Sequence, residues 1–158
     1  MDRVKKIGKI IAKYAFIFVF CGLFYVCIEM LWRGRSAFEM FILAGVCGVL
    51  WLAPFNNATT YETDFLFQCV ICGTLCTFAE WLCGVFFNPM HQIWNYSHLP
   101  FSTPDGQINL FFWILWCLIS AFAIQLLDWI EYRFFSYKPD TPPYYKIFGH
   151  VVYRMKAK

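Results

Sequence analysis

Apolar residues gather into four long runs, and within each run charged side chains are nearly absent. A helix crossing a bilayer needs about 20 mostly apolar residues, because the hydrocarbon core is about 30 Å thick and each residue rises about 1.5 Å. Ile10–Met30 meets that length, with Lys13 near its start and Glu29 near its end, and Phe38–Phe55 carries Glu39 in its first turn. Phe65–Phe87 holds one ionisable carboxylate, Glu80, and Ile108–Ile130 holds Asp128. Turn-forming segments separate the runs: Arg33-Gly34-Arg35-Ser36, then Pro54 through Thr60, then Asn88-Pro89 through Pro104-Asp105-Gly106. The pattern predicts an all-α polytopic membrane protein, a single transmembrane domain over 1–158 with four transmembrane helices and an interfacial C-terminal tail, Glu131–Lys158.

The tail changes character. It is short and broken by Pro139, Pro142 and Pro143, which argues against a second domain. Tyr144, Tyr145, Phe148, Val151 and Val152 recur at i, i+1, i+4, i+7 and i+8, with Lys146, His150 and Arg154 between them. That spacing predicts a cytoplasmic amphipathic helix lying on the membrane surface, its cations towards anionic headgroups.

Composition agrees with the runs. The chain is 60% hydrophobic, 22% aromatic and 15% charged, against about 45–50% apolar and about 25% charged in soluble domains. Its 19 Phe, 9 Tyr and 7 Trp also argue against a disordered chain. The first run is too long for a secretory leader and no small-x-small cleavage site follows it, so a retained anchor is expected.

Charge supplies a direction. Thirteen Lys and Arg against ten Asp and Glu give a net charge of +3. Arg3, Lys5, Lys6, Lys9 and Lys13 precede or open the first run, and Arg133, Lys138, Lys146, Arg154, Lys156 and Lys158 follow the fourth. An even number of spans puts both termini on one side, so basic flanks predict an N-in, C-in arrangement in a cytoplasmic membrane. No stacking-plus-basic motif points to nucleic acid.

The eight cysteines, Cys21, Cys27, Cys47, Cys69, Cys72, Cys76, Cys83 and Cys117, all fall within the runs, where they read as free thiols packing like small apolar residues. Cys69 to Cys83 covers about 21 Å of helix, too far to surround one ion. His91 and His98 lack metal-ligand spacing. No metal and no cofactor is therefore expected.

Glu80 is the principal candidate, because an ionisable group at bilayer depth must be paired, neutralised or turned to water. Its helical neighbours are Cys69, Gly73, Cys76, Thr77, Cys83 and Gly84, a stripe of small residues that lets helices approach closely in lipid. Gly73, Cys76, Thr77 and Gly84 form the expected packing face. Topology then brings further polar residues to the same outer leaflet: Glu29 with Arg33 at i, i+4, the loop residues Trp94, Asn95, Tyr96 and Ser97, and Gln107 and Asn109 at the start of the fourth run. Blander roles compete. Trp94 and Tyr96 also fit an interfacial belt, Asn95 and Ser97 a turn, and Glu29–Arg33 a helix-end ion pair. Asp128 and Glu131 beside Arg133 read as interface anchors.

Glu29-Met30-Leu31-Trp32-Arg33-Gly34-Arg35-Ser36, the Glu80 helix ending in Asn88, Trp94 through Phe101, Gly106 through Leu110, Asp128 through Arg133 and Tyr145-Lys146 together resemble a family of small bacterial multipass proteins labelled ABC transporter permease, type IV. The resemblance covers nearly the whole chain and is most specific from Trp94 to Leu110. It implies a protein of the bacterial inner membrane with a transport role. The chain departs from the family pattern at Ala37, Asn95 and Asn109, where His, Asp and Cys are common. An Asp at position 95 could carry a proton or bind a cation; Asn95 cannot do so in the same way.

Three functions follow as expectations. The first is a permease or membrane component of a transporter for a small solute or ion, using Glu80 and the outer polar ring. Four spans make a thin pathway, so it predicts a homo-oligomer or a partner membrane subunit. No Walker A sequence occurs, so ATP hydrolysis would belong to a separate ATPase subunit. The second is a membrane enzyme acting on a lipid-linked substrate at the outer leaflet, with Glu80 or Glu29 as general base. No nucleophile elbow or zincin helix supports it. The third is a non-catalytic membrane interaction protein, its Gly and Cys stripe packed against a partner.

Overall fold

The computed structural model of the chain describes residues 2–135 and 141–157. Lys138, Pro139 and Lys158 of the tail lie outside the described residues. The chain is mostly helical and divides into two compact units, Met1–Trp51 and Leu52–Lys158. Four helical stretches are long and apolar enough to cross a membrane: Ile7–Arg33, Phe38–Ala58, Phe65–Phe87 and Leu110–Phe134. They coincide with the four apolar runs, with ends moved by a few residues. Large apolar side chains stand on the outside of these helices, Leu31 at 89% exposure among them, where acyl chains rather than water would solvate them.

In the first unit, α1 (Asp2–Arg33) turns into α2 (Phe38–Cys47) through a short connection closed by the Gly34 N–H on the Met30 carbonyl, 3.0 Å. The helices approach through glycines. A methyl added at Gly22 would meet the Phe41 ring at 2.6 Å, and one at Gly45 would meet the Phe18 ring at 2.8 Å. The partner numbers run in opposite directions, so the pair is antiparallel. Phe18 and Phe41 meet edge to face with centroids 5.7 Å apart. Lipid tails are as apolar as the side chains, so such pairs associate through close packing at small residues rather than through expulsion of water.

A π-helical turn, Gly48–Leu52, follows α2 and leads into α3 (Ala53–Ala58). Pro54 sits in the first turn of α3 and has no N–H to bond back to the preceding turn, which is a direct cause of local widening.

In the second unit, α4 (Phe65–Phe87) and α5 (Leu110–Ile130) pack along their lengths. Asp64 caps α4: its Oδ1 accepts from the Leu66 and Phe67 N–H groups at 2.9 and 3.2 Å. Asn109 caps α5, its Oδ1 accepting from the Phe111 N–H at 2.9 Å. Along the stripe of small residues Cys69, Gly73, Cys76, Thr77 and Gly84 are buried and Cys83 is half-buried, while Phe78 is exposed. A methyl at Gly73 would lie 2.5 Å from the Cys117 sulfur and 2.7 Å from its backbone nitrogen.

The tail corrects two expectations. Beyond a π-helical turn, Glu131–Phe135, it forms an antiparallel hairpin of β1 (Tyr144–Ile147) and β2 (His150–Arg154), so the fold is not all-α and the amphipathic surface helix is absent. The two-residue turn explains why. Phe148 and Gly149 both take positive φ, 49° and 81°, the geometry that matches the twist of paired strands and that a helix cannot continue through. Tyr145 and Val151–Val152 belong to β-favouring types, and their 3.6-residue recurrence was coincidental in so short a segment. The hairpin docks at the start of α4. The Phe148 N–H bonds Asp64 Oδ2 at 2.6 Å, the Tyr145 ring meets Phe65 at 4.9 Å, and Lys146 and the Tyr144 hydroxyl both bond Glu62.

Candidate functional site

Glu80 lies about 10 Å inside the C-terminal end of α4, given seven residues of helix beyond it. It is 1% exposed. The Tyr96 hydroxyl donates to its Oε1 at 2.9 Å and the Trp116 indole N–H donates to its Oε2 at 2.8 Å. Trp116 comes from the second turn of α5 and Tyr96 from the loop between α4 and α5, so three segments meet at one carboxylate. Stacking of the Tyr96 ring on Phe112, centroids 4.4 Å apart, fixes where the hydroxyl points.

The loop is a folded cap built on amide side chains. Asn88, at the end of α4, donates through Nδ2 to the Trp94 carbonyl at 2.7 Å and accepts at Oδ1 from the Ile93 N–H at 2.9 Å. Gln107 donates to the Asn88 carbonyl at 3.0 Å, and its own carbonyl accepts from the Trp94 indole at 3.2 Å. Asn109 donates to the Pro100 carbonyl and to the Ser102 hydroxyl, at 2.8 and 2.9 Å. Ser102 in turn donates to the Tyr96 carbonyl at 2.6 Å. Gly106 is held at φ 64° with its carbonyl accepting from the Tyr96 N–H; a methyl there would press on Ser97. Asp105 closes the last turn, and the Thr103 hydroxyl beside it holds its carboxyl below the ordinary carboxylate range.

The residues singled out from sequence therefore separate. Trp94, Tyr96, Gln107 and Asn109 point inwards and are buried. Asn95 and Ser97 alternate with them and face outwards, the Asn95 side chain accepting from the Ser97 N–H at 2.9 Å in a local turn. Gln107 and Asn109 precede α5 rather than opening it, which corrects the expected start of the fourth span: Asn109 is the cap, and the helix begins at Leu110. In the first unit, Glu29 accepts from Arg33 at 2.5 Å and from the Ser36 hydroxyl at 2.6 Å. That is the helix-end ion pair with one added donor.

Asn88, Trp116 and Ser102 belong to the Glu80 constellation and escaped sequence reasoning. A second buried carboxylate escaped it as well. Asp128, in the last turn of α5, is 2% exposed rather than an interface anchor. Asn56 of α3 donates to its Oδ1 at 3.0 Å and the Tyr145 hydroxyl of the hairpin donates to its Oδ2 at 2.9 Å. Burial, then the Asp128 charge, push the Tyr145 phenol well above its usual range, so it remains a donor. The cap and the hairpin are thus fastened alike, each by a tyrosine hydroxyl on a buried acid.

The two donors at Glu80 differ in what they permit. An indole N–H only donates, so it requires a lone pair on Oε2; a phenol can donate or accept, so it suits Oε1 with or without a proton. All eight cysteines are free thiols. Among the described residues no three His, Cys, Asp or Glu side chains converge as a metal-ligand set. No family model matches the chain, and neither does a curated protein or a solved structure.

Proposed function

We propose that the chain is a multi-pass membrane component of a transport system for a small solute or ion, with Glu80 as the group that exchanges a proton or meets a cation on the pathway. The observation that carries this reading is a carboxylate at 1% exposure within an apolar span, held by one reversible and one irreversible donor. Keeping an acid at that depth is costly, and a site that fits both its protonation states supplies a chemical use for the cost. The resemblance to ABC transporter permease type IV sequences supports the same reading, with placement in a bacterial inner membrane, both termini inside, and assembly as a homo-oligomer or with partner subunits. Four spans enclose little space by themselves, which is why a further subunit enters the proposal.

Proteoliposomes test it. Wild-type protein should carry a solute or proton flux, and Glu80→Gln should lower that flux at least tenfold while keeping a cooperative unfolding transition. Equal flux in wild type and Glu80→Gln, or no flux above empty vesicles across a panel of ions and small solutes, overturns the proposal.

The bonded cap favours a second reading, a non-catalytic membrane interaction protein. Glu80 would then be a fastening for the cap, Glu80→Gln would lower stability, and a stoichiometric membrane partner would co-purify.

A further inference from the structure

A groove of about 440 Å³ runs beside the last turns of α5 and the following π-helical turn, with β2 and the residues after it forming its other wall. Phe122, Leu126 and Trp129 line it at intervals of four and three residues, which places them on one stripe of the helix. Tyr153 of β2 lines it as well. Arg133 and Lys156 are its cations. Among the described residues no Asp or Glu lines the groove and neither cation has an ion-pair partner.

Depth sorts these residues. Arg133 lies at the end of the Leu110–Phe134 span, where headgroups begin, and Phe122 lies about 16 Å deeper along the helix. Trp129 and Tyr153, both half-exposed, are the amphipathic ring types that settle at that boundary. A purely apolar groove would accept any acyl chain. Two cations in its lining, with no acid opposing them among the described residues, select a phosphate.

We infer that this groove binds one anionic glycerophospholipid, its phosphate on Arg133 and Lys156 and an acyl chain along Phe122, Leu126 and Trp129. The site shares no residue with the Glu80 constellation and stands whether or not that constellation transports anything.

The full-length protein, reconstituted in nanodiscs of mixed phosphatidylglycerol and phosphatidylcholine and released into mild detergent, reports the lipid it retains by native mass spectrometry. One phosphatidylglycerol should be kept in preference to phosphatidylcholine, with retention falling about fivefold for each of Arg133→Gln and Lys156→Gln. Leu126→Trp, which fills the groove and leaves both cations, should also release it. Lys9→Gln, which removes a cation that does not line the groove, should change nothing. Equal retention of the two lipids, or unchanged retention in the Arg133→Gln/Lys156→Gln double variant, overturns the inference. Displacement of the lipid by inorganic phosphate alone would show that the cations read free phosphate, and overturns it equally.

Discussion

A carboxylate inside an apolar span is held by the donors that reach it, and at Glu80 these include a phenol and an indole 16 and 36 residues distant in sequence. Removing one donor leaves a buried carboxyl oxygen short of a bond, which costs more than the bond contributed net. Tyr96→Phe should therefore destabilise the fold by about 1.5–3 kcal/mol, read as a shift in denaturant or thermal unfolding in micelles. Trp116→Phe should cost a similar amount, and the double variant less than the sum, because both donors serve the same acid. Tyr145→Phe probes the matching bond to Asp128. Glu80 was legible in the sequence as a lone acid in a greasy run. Its partners were not, since a tyrosine in a loop and a tryptophan in the next span carry no local mark of pointing at it. Asp128 was misjudged for a related reason: its place near a run's end suggests water, and only the hairpin folding back over it removes that water.

Helix pairing rests on backbone contact at glycines, and its cost can be measured. Gly73→Ala puts a methyl against the Cys117 backbone, which cannot swing away, and should destabilise by about 1–3 kcal/mol. Gly8→Ala on α1 meets nothing within 4 Å and should instead stabilise, by up to about 1 kcal/mol, through helix propensity. Comparing the two unfolding midpoints separates packing from propensity. The hairpin makes a different prediction. Hydrogen bonds from Lys146 and then Tyr144 hold the Glu62 carboxyl below its ordinary range, and the bond to Glu62 holds the Lys146 ammonium above its own. The acid's contribution is present above its unfolded value and fades as pH falls through the lowered one; the ammonium's is present below its unfolded value and fades as pH rises through the raised one. Hairpin protection, followed by hydrogen exchange corrected for intrinsic rates, should thus fall below about pH 4 and above about pH 10. It should lose both limbs in Glu62→Gln, because the Lys146 shift also depends on that carboxylate. Both groups face solvent, so added salt should shrink the effect. The four apolar runs were readable from length and hydropathy alone. The hairpin was not, because a helical recurrence over nine residues is too short to outweigh a turn set by Gly149 and by the Phe148 N–H on Asp64.

At the scale of the whole molecule, four helices of membrane-crossing length with apolar exteriors are compatible with a membrane protein. The basic flanks predict both ends in the cytoplasm. A fluorescent reporter fused after residue 158 should therefore light up, and alkaline phosphatase fused at the same point should stay inactive; the reverse pattern would reject that orientation. Sequence by itself determined the number of candidate spans, their approximate limits and the acid worth asking about, because hydropathy over about 20 residues is a local property that a bilayer's thickness would read directly. The tertiary structure decided which polar groups meet: that Trp94 and Tyr96 turn inwards while Asn95 and Ser97 turn out, that Asn109 caps α5 instead of lying within it, and that a hairpin closes over Asp128. Those outcomes depend on hydrogen bonds between residues far apart in the chain, whose partners are chosen by where the helices bring them.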